Sequence, residues 1–425
     1  MQGDQNSSGK TRSIHGTEWL NFFLADVQSG VGPFVAAYLA ASGWSPDRVG
    51  LALTVGGIVT VLLQTPAGAI VDTFRSKRAV LAGAIAAIGF AGLILAFRTT
   101  TLFIDLSQVL IGAAGSFLGP AVAAITLGIV GQRAFDHQFG RNQGFNSAGN
   151  VVAALLLGAV GYELGNRAIF LATIGLAIPA LIALALIDPR QIDHSRARAS
   201  NCNSGEDQAS RLHVLLVDRP LLAFCFAGFL FHLANAAMLP ELGELLSRGN
   251  SRSAAPFMSA CVIVTQMVIT LTAAAIGRRA GTKGRKRLLL LGFCVLPIRG
   301  VLYTLTRSVP ALIAIQLLDG IANAIFGVVS MLVVLDRTRG TGRFNLAQGA
   351  LATTVGIGAA LSNVLGGELV EHVGFDASFI GLAFVALVAL LVLWLMVPET
   401  LPCPTERREQ PPTVAVPLFD SEGRL

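Results

Sequence analysis

Four ionisable side chains stand in stretches where water should be scarce: Asp26 in "NFFLADVQSGVGPF", His232 in "FLFHLANAAMLP", Arg299 in "LPIRGVLY" and Asp319 in "QLLDGIAN". A lone charge in an apolar setting is expensive, so placement alone makes each a functional candidate. An acid and an imidazole are suited to proton exchange, which makes Asp26 and His232 the candidates for carrying protons. Arg299 and Asp319 form a natural buried ion pair, because either charge alone would cost several kcal/mol. Released from Asp319, Arg299 could hold an anion. Neutral amides lie in similar stretches: Asn21, Gln28, Gln108, Asn235, Gln316 and Asn323. Such groups recognise a polar solute by hydrogen bonding. His232 has no Ser, Cys or acid at catalytic spacing on its own run, and no Cys/His spacing suits a metal or cofactor. The expected chemistry is binding and proton movement, not catalysis.

The elements that must hold these groups follow from composition. The chain of 425 residues is 53% hydrophobic and 13% charged, where soluble domains carry about 25% charged residues. Apolar runs of bilayer length recur along it, and they do not alternate as barrel strands would. The expectation is an all-α membrane protein, since backbone in lipid must satisfy its own hydrogen bonds. Gly, Pro and charge clusters divide the chain into twelve spans: 19–41, 47–71, 79–97, 101–130, 143–163, 167–187, 218–246, 253–277, 288–306, 309–335, 344–371 and 376–397. With the N-terminus inside, 24 of the 31 Lys and Arg fall in cytoplasmic segments, six fall outside and Arg299 lies within a span. That asymmetry places both termini in the cytoplasm. It also accounts for the net charge of +6 without a nucleic-acid partner.

Two charged knots interrupt the apolar runs, "GAIVDTFRSKR" at 68–78 and "GRRAGTKGRKR" at 277–287. Other pairs repeat at nearly the same shift. Pro33 and Pro240 are 207 apart, "QVLIGAAG" and "QLLDGIAN" 208, and "GRNQGFN" and "GRFNLAQG" 202. An internal repeat of this length means two six-helix halves of common design, the build of secondary transporters with a solute site between the halves. The expected organisation is a cytoplasmic tail at 1–18, a first bundle at 19–187, a flexible linker at 188–217, a second bundle at 218–397 and a tail at 398–425. Small-residue runs in spans five and eleven predict close helix packing.

The first knot is similar to the loop signature of the major facilitator superfamily, Gly-x-x-x-Asp-x-x-x followed by a basic cluster, and the resemblance covers residues 19–397. It implies two pseudo-symmetric six-helix bundles that rock about a central solute site, spans 1, 4, 7 and 10 lining the cavity. It also implies a conformational latch at Gly68, Asp72, Arg75, Lys77 and Arg78, its basic side chains pairing with acids when the inner side is closed. Gly281 stands in the second knot where Asp72 stands in the first, so the latch is expected to be asymmetric. Drug–proton antiporters of the family carry an Arg where Gln108 stands and a Gly-Pro-x-x-Gly-Gly run absent from span five. The expected function is therefore proton-coupled transport of a small polar or anionic metabolite by a monomer in the bacterial inner membrane. The alternatives are a proton-driven multidrug efflux pump and a transport-dead membrane sensor.

Overall fold

The computed structural model describes residues 2–30, 35, 38, 39, 42, 44, 46–98, 100–200, 218–249 and 251–401. The described chain is almost wholly helical: α1 Gln2–Gly30, α2 Pro46–Thr73, α3 Lys77–Phe97, α4 Thr101–Leu164, α5 Asn166–Ala185, α6 His194–Ala197, α7 Arg219–Asn235, α8 Met238–Gly249, α9 Ser251–Lys283, α10 Arg285–Leu305, α11 Val309–Arg337, α12 Phe344–Val373 and α13 Phe375–Met396. Ten helices among the described residues are long and apolar enough to cross a membrane. They turn large apolar side chains outward, among them Phe384, Trp394, Leu271 and Leu305, as a lipid-facing surface requires.

The longest helix is two spans. Thr126 and Asn142 are 16 residues apart, yet Asn142 Nδ2 donates to Thr126 Oγ1 at 2.9 Å. A continuous helix would separate them by about 24 Å. The chain reverses at Gly131, whose φ of 71° and ψ of 171° lie outside the helical region. We call the arms α4a (101–130) and α4b (132–164). The fourth and fifth spans are thus both present, and the fifth starts well before the expected residue 143. The seventh span is interrupted between Asn235 and Met238, giving α7 and α8.

Close approaches between helices reveal the repeat more sharply than the sequence does. A Cβ at Gly68 would overlap the carbonyl oxygen of Asn345, and one at Gly277 that of Asp136. A Cβ at Gly349 would overlap Gln64 O, and one at Gly140 would lie 2.6 Å from Ala273 O. Every residue in one member of these pairs of contacts maps onto the other by a shift of 209. The two seams, α2 on α12 and α9 on α4b, join the two halves and are related by the pseudo-two-fold axis. The true counterpart of Gly140 is therefore Gly349, and the match to Gly342 at a shift of 202 is corrected.

Two expected boundaries also move. The segment expected as a tail at 1–18 belongs largely to α1: Ser13 is buried and its Oγ accepts from Asp188 N (3.1 Å), while Gly16 packs on Ile187. Residues 188–200, expected as flexible linker, form a 3-10 turn and α6, with Ala197 and Ala199 fully buried. Gly340 N donates to Ala199 O at 2.6 Å, tying this stretch to the second half. Residues 201–217 and the tail from 402 lie outside the described residues.

Gly131 has open space where a Cβ would sit, so substitution there acts through the backbone alone. Gly131→Ala is expected to cost about 1–3 kcal/mol, seen as a lower unfolding temperature in detergent. An unchanged temperature would show that the reversal does not need glycine.

Candidate functional site

The first seam is built around an acid. Helix α2 ends at Thr73, and Ser76 begins α3 by accepting from Ala79 N at 3.3 Å. In the last turn of α2, Asp72 is buried at 1% exposure. Its carboxylate reaches the start of α12, accepting from Leu346 N (2.9 Å), Asn345 N (3.3 Å) and Asn345 Nδ2 (2.8 Å). A helix start leaves N–H groups without partners, and α12's own cap residue, Arg343, offers no side-chain acceptor. Asp72 supplies it from the other half of the molecule, with the helix dipole adding to the attraction. Asn345 Nδ2 also donates to Ala197 O at 3.1 Å, which fastens the 188–200 segment to the same point. Thr65 and Thr353 share a 2.9 Å hydrogen bond further along the seam.

The basic residues of this knot act otherwise than expected. Lys77 is buried and turns back onto the end of α2, donating to Val71 O and to Phe74 O (2.6 Å). Arg75 is exposed, and Arg78 keeps a buried Nε without a hydrogen-bond partner. Among the described residues none of the three ion-pairs with an acid. That role falls to the second knot. Arg285, 3% exposed, gives Nη1 to Asp136 on α4b (2.7 Å) and Nε to Asp336 at the end of α11 (3.0 Å). Glu399 accepts from Arg285 N (2.8 Å) and Lys286 N (3.1 Å) at the start of α10. Asp136 is the counterpart of Asn345, and it lies 3.1 Å from the Cβ position of Gly281, the counterpart of Asp72. The acid has changed sides: at one seam the loop carries it, at the other the facing helix does.

Five of the expected solute-binding residues converge on one buried network in the second half. Arg299 Nη1 pairs with Asp319 Oδ1, and its Nη2 donates to Asn235 Oδ1 (2.6 Å) and Met238 Sδ (3.1 Å). Asp319 also accepts from Thr265 Oγ1 (3.1 Å) and Asn323 Nδ2 (3.0 Å). The guanidinium lies over the Tyr303 ring, whose hydroxyl accepts from Gln316 Nε2 at 2.7 Å. His232 stands apart, edge-on to Phe326 with centroids 4.9 Å apart, and its Nε2 is buried without a partner.

The remaining candidates scatter. Asn21 is buried and bonds Thr17 O on its own helix at 2.8 Å, while Asn146 Nδ2 donates to Asn21 O across to α4b (3.2 Å). Gln28 is exposed. Gln108 is buried against Gly56 of α2, its Nε2 unpartnered. Asp26 lies on α1, with its side chain outside the described ones. The sequence reading missed a second network. Glu18, 1% exposed, pairs with Arg141 (2.9 Å) and accepts from Gln138 (2.9 Å), which continues to Asn142 (3.0 Å). Its signal was visible only once α1 was known to begin before Trp19.

Two helical bundles joined at pseudo-symmetric seams, each holding its own buried polar network, are the architecture of a polytopic membrane transporter. The Major Facilitator Superfamily model matches residues 19–298 and 224–421, and the chain belongs to that superfamily. An MFS-type transporter of Mycobacterium tuberculosis is 40% identical over 403 residues, 94% of this chain and 96% of that protein. The tetracenomycin C resistance and export protein of Streptomyces glaucescens is 34% identical over 131 residues, 30% of this chain and 23% of that protein. Among solved structures, the human organic anion transporter MFSD10 (TETRAN) superposes with a TM-score of 0.68 at 16% identity, covering 90% of this chain and 99% of that one. A variant of the E. coli fucose:proton symporter FucP does so with a TM-score of 0.69 at 13% identity, covering 91% and 99%. These two share the fold.

Arg299 and Asp319 allow a direct test of the buried pair. Arg299→Met should cost about 3–5 kcal/mol by stranding Asp319, and adding Asp319→Leu should recover most of that loss. Unfolding temperatures of the single and double variants in detergent would show it. A double variant no more stable than the single one would contradict the pairing.

Proposed function

We propose that this protein is a secondary transporter of the bacterial inner membrane, with both termini cytoplasmic, that moves a small polar or anionic metabolite by alternating access coupled to protons. The observation that carries the reading is that Asp72 and its donors belong to opposite halves. For the charged end to open, these bonds must break together with the pair of Asp136 and Arg285. Charge-assisted hydrogen bonds contribute about 1.5–3 kcal/mol each, enough to hold one state and little enough to be released by a ligand's differential binding. We read Gly68, Asp72 and Lys77 as the built part of the latch, with Arg75 and Arg78 serving topology.

The solute would meet amides and hydroxyls of α7 to α11, and Asn235 and Asn323 are the most accessible members of the network, being only partly buried. Arg299 is already neutralised by Asp319, so an anion would have to displace that carboxylate. This feature, with the export role named for the Streptomyces relative, favours a second reading as a proton-driven multidrug efflux pump. Asp26 and His232 are the proton carriers in both readings. The unpartnered Nε2 of His232 can accept a solute hydrogen bond without first losing one, and a proton arriving there would need such a partner or water to hold it. The partners are the solute, protons and lipid, and the working unit is a monomer.

The test uses proteoliposomes with a trapped pH dye, challenged with a panel of metabolites and drugs under an imposed pH gradient. Solute-evoked proton movement is expected in wild type and lost in Asp26→Asn or His232→Gln. Solute movement without proton movement, unchanged in both variants, would remove proton coupling and leave uniport or another ion.

A further inference from the structure

Glu241 is a buried acid that the sequence reading passed over. It lies on α8, one turn beyond the break in the seventh span, and is 5% exposed. Neither carboxylate oxygen has a hydrogen-bond partner. The side chain is pressed onto α12: a Cβ at Gly366 would overlap Glu241 Oε1 and lie 3.2 Å from Cδ. Only a residue without a side chain makes room for the carboxyl there. The Ser378 hydroxyl of α13 lies beside the carboxyl and is the one donor there among the described residues; it also reaches Gly366 O at 3.4 Å.

The surroundings offer no compensating cation among the described residues. Glu244, the other acid on α8, is exposed. On α12, Glu368 and His372 pair with each other at 3.3 Å in exposed positions, and Glu371 is exposed. On α13, Asp376 is bound to Arg307. From α9, Cys261 joins the apolar cluster of Ala237, Met238 and Leu242, and from α10 so does Tyr303. Arg299, a buried cation that touches Met238 of α8, is committed to Asp319 and Asn235. With no cation and at most one hydroxyl beside it among the described residues, an ionised carboxylate is poorly sustained at such a site.

The break before α8 ties this acid to the buried network. Ala237 N, freed by the interruption, donates to Ser362 Oγ of α12 at 2.9 Å. Ser362 sits one turn before Gly366, so both contacts hold α8 to the same face of α12. Met238, at the first position of α8, receives Arg299 Nη2 at 3.1 Å. One short helix therefore touches α12 through Glu241 and the polar network through Met238.

We propose that Glu241 is a proton site that locks α8 against α12: with its proton it packs on Gly366, and on giving that proton to water the carboxylate leaves the contact and takes α8 with it. Movement of α8 carries Met238 away from Arg299, so proton loss at Glu241 and rearrangement of the solute network are linked through one rigid element. The assignment rests on reading the chain as an alternating-access transporter, but its first test needs no transport.

The test is infrared difference spectroscopy of the purified protein across a pH titration, following the carboxylic-acid C=O stretch. Wild type should show a protonated, buried carboxyl band that disappears on titration, and Glu241→Gln should lack that band while retaining the unfolding temperature. A band unchanged in Glu241→Gln, or no such band in wild type, would overturn the proposal whatever the transport assay shows. Should Glu241→Gln fail to fold, spin labels at Glu244 and Gly367 of the otherwise wild-type chain report the α8–α12 distance. Widening from acid to alkaline pH is expected, and a distance that does not change with pH overturns the lock. If the band and the widening are both present and no solute moves in proteoliposomes, the transporter reading fails and the proton site stands.

Discussion

The carboxylate of Asp72 on the first turn of α12 is the contact on which the closed arrangement depends. A helix start in an apolar protein needs acceptors, and α12 brings none of its own, because its cap residue is Arg343. Its partner-less N–H groups are met from α2, 273 and 274 residues away in sequence. The same bonds that satisfy the local backbone join the two halves. Small residues let this happen: with any side chain at Gly68 or Gly349, α2 and α12 could not come close enough for the carboxylate to reach. Packing sets the distance, and in the proposed cycle electrostatics selects the state.

The pseudo-two-fold partner solves the same problem with the charges exchanged. At the second seam Asp136 occupies the place of Asn345, and Gly281 that of Asp72. The acid now meets Arg285, a full cation, instead of a helix dipole. Arg285 is shared with Asp336, and Asp336 with Arg339, so this seam reaches into α11, which also carries Asp319. Opening one seam disturbs the start of a helix; opening the other disturbs a chain of charges anchored on the same helix as Asp319. The two halves share a backbone plan, and their side chains divide the labour.

The helical class, the crossing segments and the repeat were legible because bilayer thickness and the cost of bare backbone leave few alternatives. Asp72 was legible as well, since a charge between apolar runs has few structural excuses. The acids that complete the second seam were not. Asp136 and Asp336 sit at the ends of long apolar stretches, where a charge is ordinary, and only the shift of 209 seen in helix contacts identifies Asp136 with Asn345. Matching Gly140 to Gly342 by local letters hid that equivalence. Arg299, Asp319, Asn235, Gln316 and Asn323 could be gathered because each is polar within a span. Glu18 and Glu241 escaped for different reasons. One was assigned to a tail that proved to be helix, and the other lies near a span end where its burial depends on Gly366, a residue from a distant helix.

The most direct test of the central claim is a distance across the charged end. Spin labels at Arg75 and Thr282, both exposed, would be measured by pulsed electron resonance in the wild-type background and in Asp72→Asn combined with Asp136→Asn. The account predicts one short distance in wild type and a second, longer population in the double variant, because both carboxylates that tie the halves are gone. A single short distance in both proteins would show that apolar packing alone closes this end and would contradict the account.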